Sequence, residues 1–307
     1  AQSEDYRQAV RTQLIAGIAN TYYTLLMLDE QLDLSRQTET AWKETVASTR
    51  ALMNAGLANE SAVSQMEAAY YQVQSSVLDL QQQISQVENS LALLLAETPR
   101  SYERGMLAKQ QFPTDLSIGI PVRMLSSRPD VRSAERTLEA AFYGTNAARS
   151  AFYPSITLSG SAGWTNSAGS LILNPGKFLA SAVGSLTQPL FNKGQVVAQY
   201  RIARAQQEEA ALGFQQTLLN AGSEVNDALI AYQTSQGKRL LLDKQIASLQ
   251  TALQSTSLLM EHGNTTYLEV LTSRQSLLSA QLSQTANHFT EIQSLINLYR
   301  ALGGGQE

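Results

Sequence analysis

The sequence predicts a mainly α-helical protein in which long antiparallel coiled-coil hairpins accompany one transmembrane β-hairpin of a shared barrel. Three observations support this prediction: a seven-residue repeat of apolar residues, a duplication of the segment that carries it, and a nearly uncharged stretch in which apolar and polar residues alternate. A strict seven-residue repeat imposes a left-handed supercoil on packed helices. Strict alternation is typical of a β-strand with two different faces.

The seven-residue repeat begins near residue 14, and no proline interrupts the chain before residue 99. Its rows in the ascending arm are Leu14, Thr21, Leu28, Ser35, Trp42 and Thr49, and Ile18, Leu25, Leu32, Val46 and Met53, with Glu39 as an exception. The descending arm continues with Val63, Tyr70, Val77, Ile84 and Leu91, and Met66, Val73, Leu80, Val87 and Leu94. An arm of about 50 residues would reach roughly 75 Å, well beyond an ordinary globular helix.

The same pattern returns later in the chain, which indicates an internal duplication. Gly56 and Gly263 lie 207 positions apart, and the same offset relates Thr49 to Thr256 without a gap. In the second descending arm the apolar rows are shifted by one residue: Leu271, Leu278, Thr285, Ile292 and Tyr299, and Leu268, Leu282, Phe289 and Ile296. We therefore expect two helical hairpins that pack differently.

Each predicted hairpin turns at a glycine, which supplies the left-handed backbone that ends a helix. The two turns are Ala55, Gly56, Leu57 and Ala58, and His262, Gly263, Asn264 and Thr265. Periodicity alone is equally compatible with any antiparallel coiled-coil protein, so the function depends on the segment between the hairpins.

Residues 150–192 carry a single charge, at Lys177, and Pro154 and Pro175 exclude a membrane-spanning helix. Two stretches alternate, each long enough to cross an outer membrane when tilted. The residues predicted to face lipid are Ile156, Leu158, Ala162, Trp164 and Leu186. A soluble β-hairpin is the alternative interpretation. One hairpin leaves unpaired backbone groups at its edges, so a membrane hairpin must close with further strands, which favours a symmetric ring of copies.

Composition and charge exclude several classes of function. The 307-residue chain has a net charge of −4 and no cysteine, so nothing predicts nucleic-acid binding, disulfides or thiolate chemistry. Ser235 and Lys238 match an S-x-x-K spacing but lack its companion motifs. His262 and His288 have no partner at ligand spacing. The sequence therefore predicts a protein that is not an enzyme and holds no metal or other cofactor.

Several motifs together resemble the outer-membrane efflux proteins, the TolC-like channels, and most closely the branch that serves resistance-nodulation-division multidrug pumps. Residues 119–132 resemble the family's G-x-P-x-x-L-L-x-R-R-P-D-I-R stretch. Residues 147–154 and 188–191 resemble the entry to and the exit from its strands. Residues 263–271 resemble the second inter-helix tip, and residues 298–305 resemble the end of the last helix.

The resemblance implies a trimer with four strands per protomer, in the outer membrane of a Gram-negative bacterium and mostly in the periplasm. Residues 1–98 would be the first tunnel hairpin, 99–149 an equatorial connection and helix, 150–192 the transmembrane β-hairpin, and 193–307 the second tunnel hairpin. Members of this branch begin with a lipid-modified cysteine and a first β-hairpin. We expect both to precede residue 1 in the mature protein.

The resemblance also implies partners and a gate. A periplasmic adaptor would contact the two helix tips, named above as residues 55–58 and His262, Gly263 and Asn264, and an inner-membrane pump would feed the duct. Leu268 matches an apolar ring at the closed end of the tunnel in relatives. Thr272 matches a position where relatives place an aspartate ring, and Glu269 lies beside it.

The expected function is a passive exit duct for drugs and other small molecules, across an outer membrane whose lipid surrounds the barrel. Alternatives of the same fold are a type I protein-secretion duct and a metal-ion efflux channel. Arg128-Pro129-Asp130 favours the pump-linked branch, and the six methionines are scattered rather than clustered. A more distant alternative is a coiled-coil scaffold or adhesin.

Overall fold

A computed structural model describes residues 2–110, 126–164, 178–188, 191–261 and 267–304. Its elements, in chain order, are α1 (Gln2–Asn54), α2 (Glu60–Leu94), a 3-10 turn (Leu107–Lys109), α3 (Pro129–Ser150), β1 (Ser155–Trp164), β2 (Phe178–Thr187), α4 (Gln195–Glu261) and α5 (Tyr267–Ala301). The chain forms two compact units: Ser3–Asp130 with Leu219–Glu307, and Val131–Leu218. Within the described helices, no stretch combines the length and hydropathy that a membrane-crossing helix requires.

The first hairpin consists of α1 and α2, which pack along the predicted apolar rows. Their shared core contains Leu25, Leu28 and Leu32 of α1 and Val77, Ile84 and Leu91 of α2. The rows are buried from Leu25 to Thr49 at most positions, whereas Leu14, at their beginning, is 43% exposed. The predicted coiled-coil hairpin is therefore confirmed over most of its length.

Helix α5 packs on two sides, and this explains the one-residue shift of its apolar rows. Leu298 and Ala301 pack with Val225 and Ala228 of α4. Ile292 packs with Leu26 of α1, while Leu271 and Leu278 pack around the fully buried Trp42. A helix that is covered by both its own partner and a neighbouring hairpin needs a wider apolar face than one seam provides. The prediction that the two hairpins pack differently is correct.

A loop after α2, residues 95–110, crosses the first hairpin and is fixed by Arg104. The Arg104 guanidinium donates to Glu88 of α2 at 2.6 Å and to Asp29 of α1 at 2.9 Å. The hydrogen bond to Asp29 contributes most to raising the pKa of Arg104, and the hydrogen bond to Glu88 acts in the same direction. Burial acts to raise the pKa of Glu88, but hydrogen bonds from Arg104, Ser101 and the Tyr102 backbone, together with the charge of Arg104, outweigh it, so the pKa of Glu88 is lowered.

The Arg128-Pro129-Asp130 motif holds the end of α5. Arg128 donates to the Ala301 carbonyl at 2.9 Å, and its guanidinium also binds Asp130 and Glu224. Gly303 has φ +73°, and a Cβ there would lie 3.1 Å from the Arg128 Cα. Both the backbone angle and the close approach require glycine, so the motif and the glycines after α5 form one joint.

Candidate channel residues at the helix tip, the aperture and the β-hairpin

The first predicted tip is the turn between α1 and α2. Gly56 has φ +76°, and its backbone N–H donates to the Met53 carbonyl at 2.9 Å. Asn59 begins α2 by accepting a hydrogen bond from the Ala62 N–H at 2.8 Å on its side-chain oxygen. Of the four predicted tip residues, Ala55, Gly56 and Leu57 are exposed and Ala58 is half-buried. Leu57 is 77% exposed, which makes it the apolar side chain that this tip presents to solvent.

Beside this tip, the first hairpin carries a groove of about 470 Å³. Lys43 and Arg50 of α1 and Tyr70 and Tyr71 of α2 line it, and Arg50 forms an ion pair with Glu67 across the hairpin. The second predicted tip, with His262, Gly263 and Asn264, lies outside the described residues.

The predicted aperture residues lie in the first turns of α5. Leu268 is 51% exposed, and Glu269 and Thr272 are also exposed. The side chains that pack inward there are Val270, which is buried, and Leu271. Leu268 therefore leaves much of its surface free for a contact beyond its own hairpin.

The Thr272 hydroxyl is engaged with its own helix. It donates to the Leu268 carbonyl at 2.6 Å and lies 3.2 Å from the Glu269 carbonyl. A threonine in this geometry satisfies its hydroxyl donor within its own helix. The carboxylate of Glu269 is thus the ionisable group among the three predicted aperture residues.

Strands β1 and β2 pair in antiparallel register, so that the predicted apolar rows of the two strands lie opposite each other. Ile156 pairs with Leu186, Leu158 with Gly184, and Ala162 with Ala180, while Ser161 pairs with Ser181 through a 2.8 Å hydroxyl contact. Directly paired residues point to the same side of a sheet. Trp164 pairs with Phe178 at the far end of the hairpin. Four of the predicted lipid-facing residues therefore share one face, and these four, Ile156, Leu158, Ala162 and Leu186, are all exposed within this chain.

Comparison with known proteins identifies this arrangement. The family model described as Outer membrane efflux protein matches residues 1–97 and 120–304. The chain belongs to the outer membrane efflux protein family. Its fold is that of the efflux protein channels, with helical tunnel hairpins joined to barrel strands. As an outer membrane efflux protein, it is located in the outer membrane of a Gram-negative bacterium, with a large periplasmic helical part.

Two curated efflux proteins illustrate the similarity. The chain is 29% identical to the cation efflux system protein CusC of Escherichia coli O6:H1 (strain CFT073) over 99% of its own length and 66% of the relative. It is 31% identical to the solvent efflux pump outer membrane protein SrpC of Pseudomonas putida over 99% of its length and 65% of the relative. The chain thus spans just under two thirds of these efflux proteins.

Among solved structures, the outer-membrane channel OprN matches with a TM-score of 0.92 at 27% identity. This match covers 99% of the chain and 69% of OprN. It extends over the helical hairpins and the β-hairpin together, so the efflux protein fold applies to all the described elements.

Arg274 is a residue near the predicted aperture that sequence reasoning missed. Its guanidinium lies 5.6 Å from the ring centroid of Trp42, and its Nε is buried without a hydrogen bond. Burial lowers the pKa of Arg274, and the charge of Glu44 acts in the opposite direction. The feature of the sequence that could have indicated this residue is its position, because a positively charged side chain three residues after Leu271 lies close to an apolar row.

The prediction that the protein is not an enzyme and holds no metal was made from the residue types of its sequence. Within the part of the chain that the structure describes, no group of three or more acidic or histidine side chains could hold a metal ion. Ser235 and Lys238, which match the S-x-x-K spacing, lie inside the long helix α4, and the Ser235 hydroxyl donates to the Ala231 carbonyl at 2.8 Å.

Proposed function

We propose that the chain forms part of a trimeric outer-membrane channel of a tripartite efflux pump, a passive exit duct for drugs and other small molecules from the periplasm to the exterior. The observation that carries this proposal is the register of the β-hairpin. It gives the hairpin one exposed face of apolar and small residues and an opposite exposed face of serines and threonines interrupted by Leu179 and Val183, and no described residue of either strand is charged. Lipid on one side and water on the other satisfy both faces.

The trimer follows from the open edges of the same hairpin. A two-stranded sheet leaves one row of backbone groups unpaired on each strand, and hydrocarbon offers those groups no partner. Strands from further hairpins and from further copies of the chain would complete the pairing. Leu212, Leu219 and Leu241 of α4 are exposed in the single chain, as expected of a helix covered by a neighbouring protomer.

A periplasmic adaptor would dock at the hairpin tips, and an inner-membrane resistance-nodulation-division pump would supply the substrate. Leu57 at the described tip and the adjacent groove of about 470 Å³ support this assignment. The aperture would lie close by, with Leu268 as an apolar ring, Thr272 as an uncharged ring and Glu269 as the available charge. Transport through such a duct involves no chemical step, so the protein acts as a conduit and not as an enzyme.

Metal-ion efflux is the second candidate. The observation that favours it is the 29% identity to a cation efflux protein over 99% of the chain. The 31% identity to a solvent efflux protein, over the same share of the chain, favours small organic substrates. Susceptibility to organic drugs and to copper or silver salts, measured in the same strain, separates the two candidates.

The tip provides an experiment on the proposed function. Leu57→Arg in the full-length protein is expected to abolish efflux of a fluorescent drug without lowering the amount of channel in the outer membrane. The matched control is Leu78→Arg, because Leu78 is an exposed leucine of the same hairpin away from the turn. Unchanged efflux in the Leu57 variant would contradict docking at this tip.

A further inference from the structure

The two helical hairpins differ most where the first one is most apolar. In the first hairpin, Leu28, Leu32, Val77, Leu80 and Ile84 pack in one apolar cluster. The residues that lie 207 positions later are Ser235, Arg239, Gln284, Asn287 and Glu291. We call these five residues the polar layer. The duplicated positions have therefore exchanged a leucine-rich core for side chains that hydrogen-bond.

Polar contacts join α4 to α5 within this layer. The Asn287 amide donates to the Ser235 backbone carbonyl at 2.8 Å, and Arg239 lies 3.7 Å from the Glu291 carboxylate. Ser235, Asn287 and Glu291 are all buried. In the described part of the chain, the Oε2 atom of Glu291 accepts no hydrogen bond. The layer is thus incompletely satisfied, which makes it weaker than either a full polar network or an apolar core.

A cleft of about 710 Å³ opens beside the polar layer between α4 and α5. Ser235 and Asn287 line it together with Lys238 and Thr290. A cleft of this size admits water, and it reaches Ser235 and Asn287, the two residues joined by the hydrogen bond between the helices. An apolar cluster joins α4 to α5 on one side of the layer. It lies before Ser235 in α4 and after Glu291 in α5, and it is formed by Val225, Ala228, Leu298 and Ala301.

Gly237 lies within the same stretch of α4, two residues after Ser235. A Cβ at this position would meet nothing within 4 Å, so packing does not require glycine here. Glycine in a helix interior weakens the helix relative to alanine. Helix α5 is also packed against the first hairpin, on the side away from α4, through Ile292 and Leu278.

We propose that the polar layer is a hinge at which α4 separates from α5 while α5 stays packed on the first hairpin. Separation exchanges hydrogen bonds within the protein for hydrogen bonds to water, which changes the free energy little. The equivalent separation in the first hairpin would expose five apolar side chains to water. The hinge is therefore built into one of the two duplicated hairpins, and this inference stands apart from the transport role.

Hydrogen–deuterium exchange of the full-length protein in detergent tests the hinge. Exchange at residues 228–242 of α4 is expected to be about tenfold or more faster than at residues 21–35 of α1, the positions 207 earlier. The double substitution Ser235→Leu with Asn287→Leu restores the residues of the first hairpin. It is expected to slow exchange at 228–242 by about tenfold and to leave residues 21–35 unchanged.

Gly237→Ala is the second variant, because it fits open space and does not threaten folding. It is expected to slow exchange at residues 228–242 about threefold to fivefold. Gly213→Ala is the matched control, since a Cβ at Gly213 of the same helix also meets nothing within 4 Å but lies outside the layer. Unchanged exchange at 228–242 in the Gly237 variant, or equal slowing there by the Gly213 variant, would overturn the hinge.

Discussion

Leu268 and Thr272 share one side of α5, one turn apart, and their side chains differ in what they offer to a pore. Leu268 presents an exposed apolar surface, whereas the Thr272 hydroxyl is bonded to its own helix. In a trimer each would form a ring of three. The proposed constriction is therefore an apolar ring at Leu268 and an uncharged ring at Thr272, with charge available at Glu269.

The first prediction tests this constriction by single-channel conductance of the full-length protein. Leu268→Ala is expected to raise the resting conductance, because it removes the apolar ring. Leu258→Ala is the matched control, since Leu258 of α4 has the same exposed fraction of 51%.

Thr272→Asp is expected to increase cation selectivity and block by divalent ions, because it places three carboxylates at one level. Thr251→Asp is its control, because Thr251 is exposed and donates to a carbonyl of its own helix in the same way. If both the Leu268 and Thr272 variants conduct like the parent, the constriction lies elsewhere.

The second prediction concerns the pH dependence of the loop fixed by Arg104. The pKa of Glu88 is lower in the folded protein than its ordinary value of 4.5. A carboxylate with a lowered pKa stabilises the fold above that ordinary value, and its contribution is lost as the pH falls through the folded-state pKa. Glu88→Gln is therefore expected to lower the melting temperature at pH 7 and to reduce its fall below pH 4.5.

The exposed ion pair of Glu97 with Arg100 provides the control. Glu97→Gln is expected to leave the melting temperature and its pH profile nearly unchanged, because exposed surface pairs contribute little to stability. A Glu88 variant whose melting temperature follows the same pH profile as the parent would contradict the assigned role of the Arg104 contacts.

At the scale of single elements, the helices and strands were readable from the sequence because each follows one period. The rows through Leu28 and Val77 predicted α1 and α2, and the alternation around Leu158 predicted β1 with the face that its register confirms. Arg104 could not be predicted, because its partners lie in two helices distant in sequence. The polar layer was also missed, because polar residues at these positions are compatible with a helix and do not by themselves indicate how two helices pack.

The candidate site was predicted less completely than the fold. Exposure of Leu57, Leu268 and Thr272 follows from the structure, whereas their roles depend on protomers and partners that one chain does not contain. The second tip, with Gly263, stays a prediction. Arg274 was missed because a cation over Trp42 depends on how α5 crosses α1, which the spacing along one helix does not specify.

The third prediction tests the two faces of β1. Leu158 is 81% exposed on the apolar face, and the next residue, Ser159, lies on the polar face. Leu158→Arg is expected to destabilise the membrane-inserted protein by about 2–4 kcal/mol if it lies near the bilayer midplane, and to lower the amount of channel in the outer membrane. Ser159→Arg is the matched control and is expected to be tolerated. Equal loss in both variants would indicate that β1 has no lipid side.

At the scale of the whole molecule, the duplication gives two hairpins with different tasks. The first has an apolar core, a fixed crossing loop and the described tip. The second hairpin carries the polar layer, and its helix α5 also packs on the first hairpin. Both belong to a chain whose β-hairpin cannot close by itself, so the account depends on assembly with further copies.

The most direct test of the proposed channel is the mass of the full-length protein in detergent, measured by analytical ultracentrifugation. The proposed assembly predicts three copies, because the open strand edges must pair with those of neighbouring protomers. Leu158→Arg is expected to reduce the trimer fraction, while Ser159→Arg is expected to leave it unchanged. A stable monomer that retains folded β-strands would contradict the account.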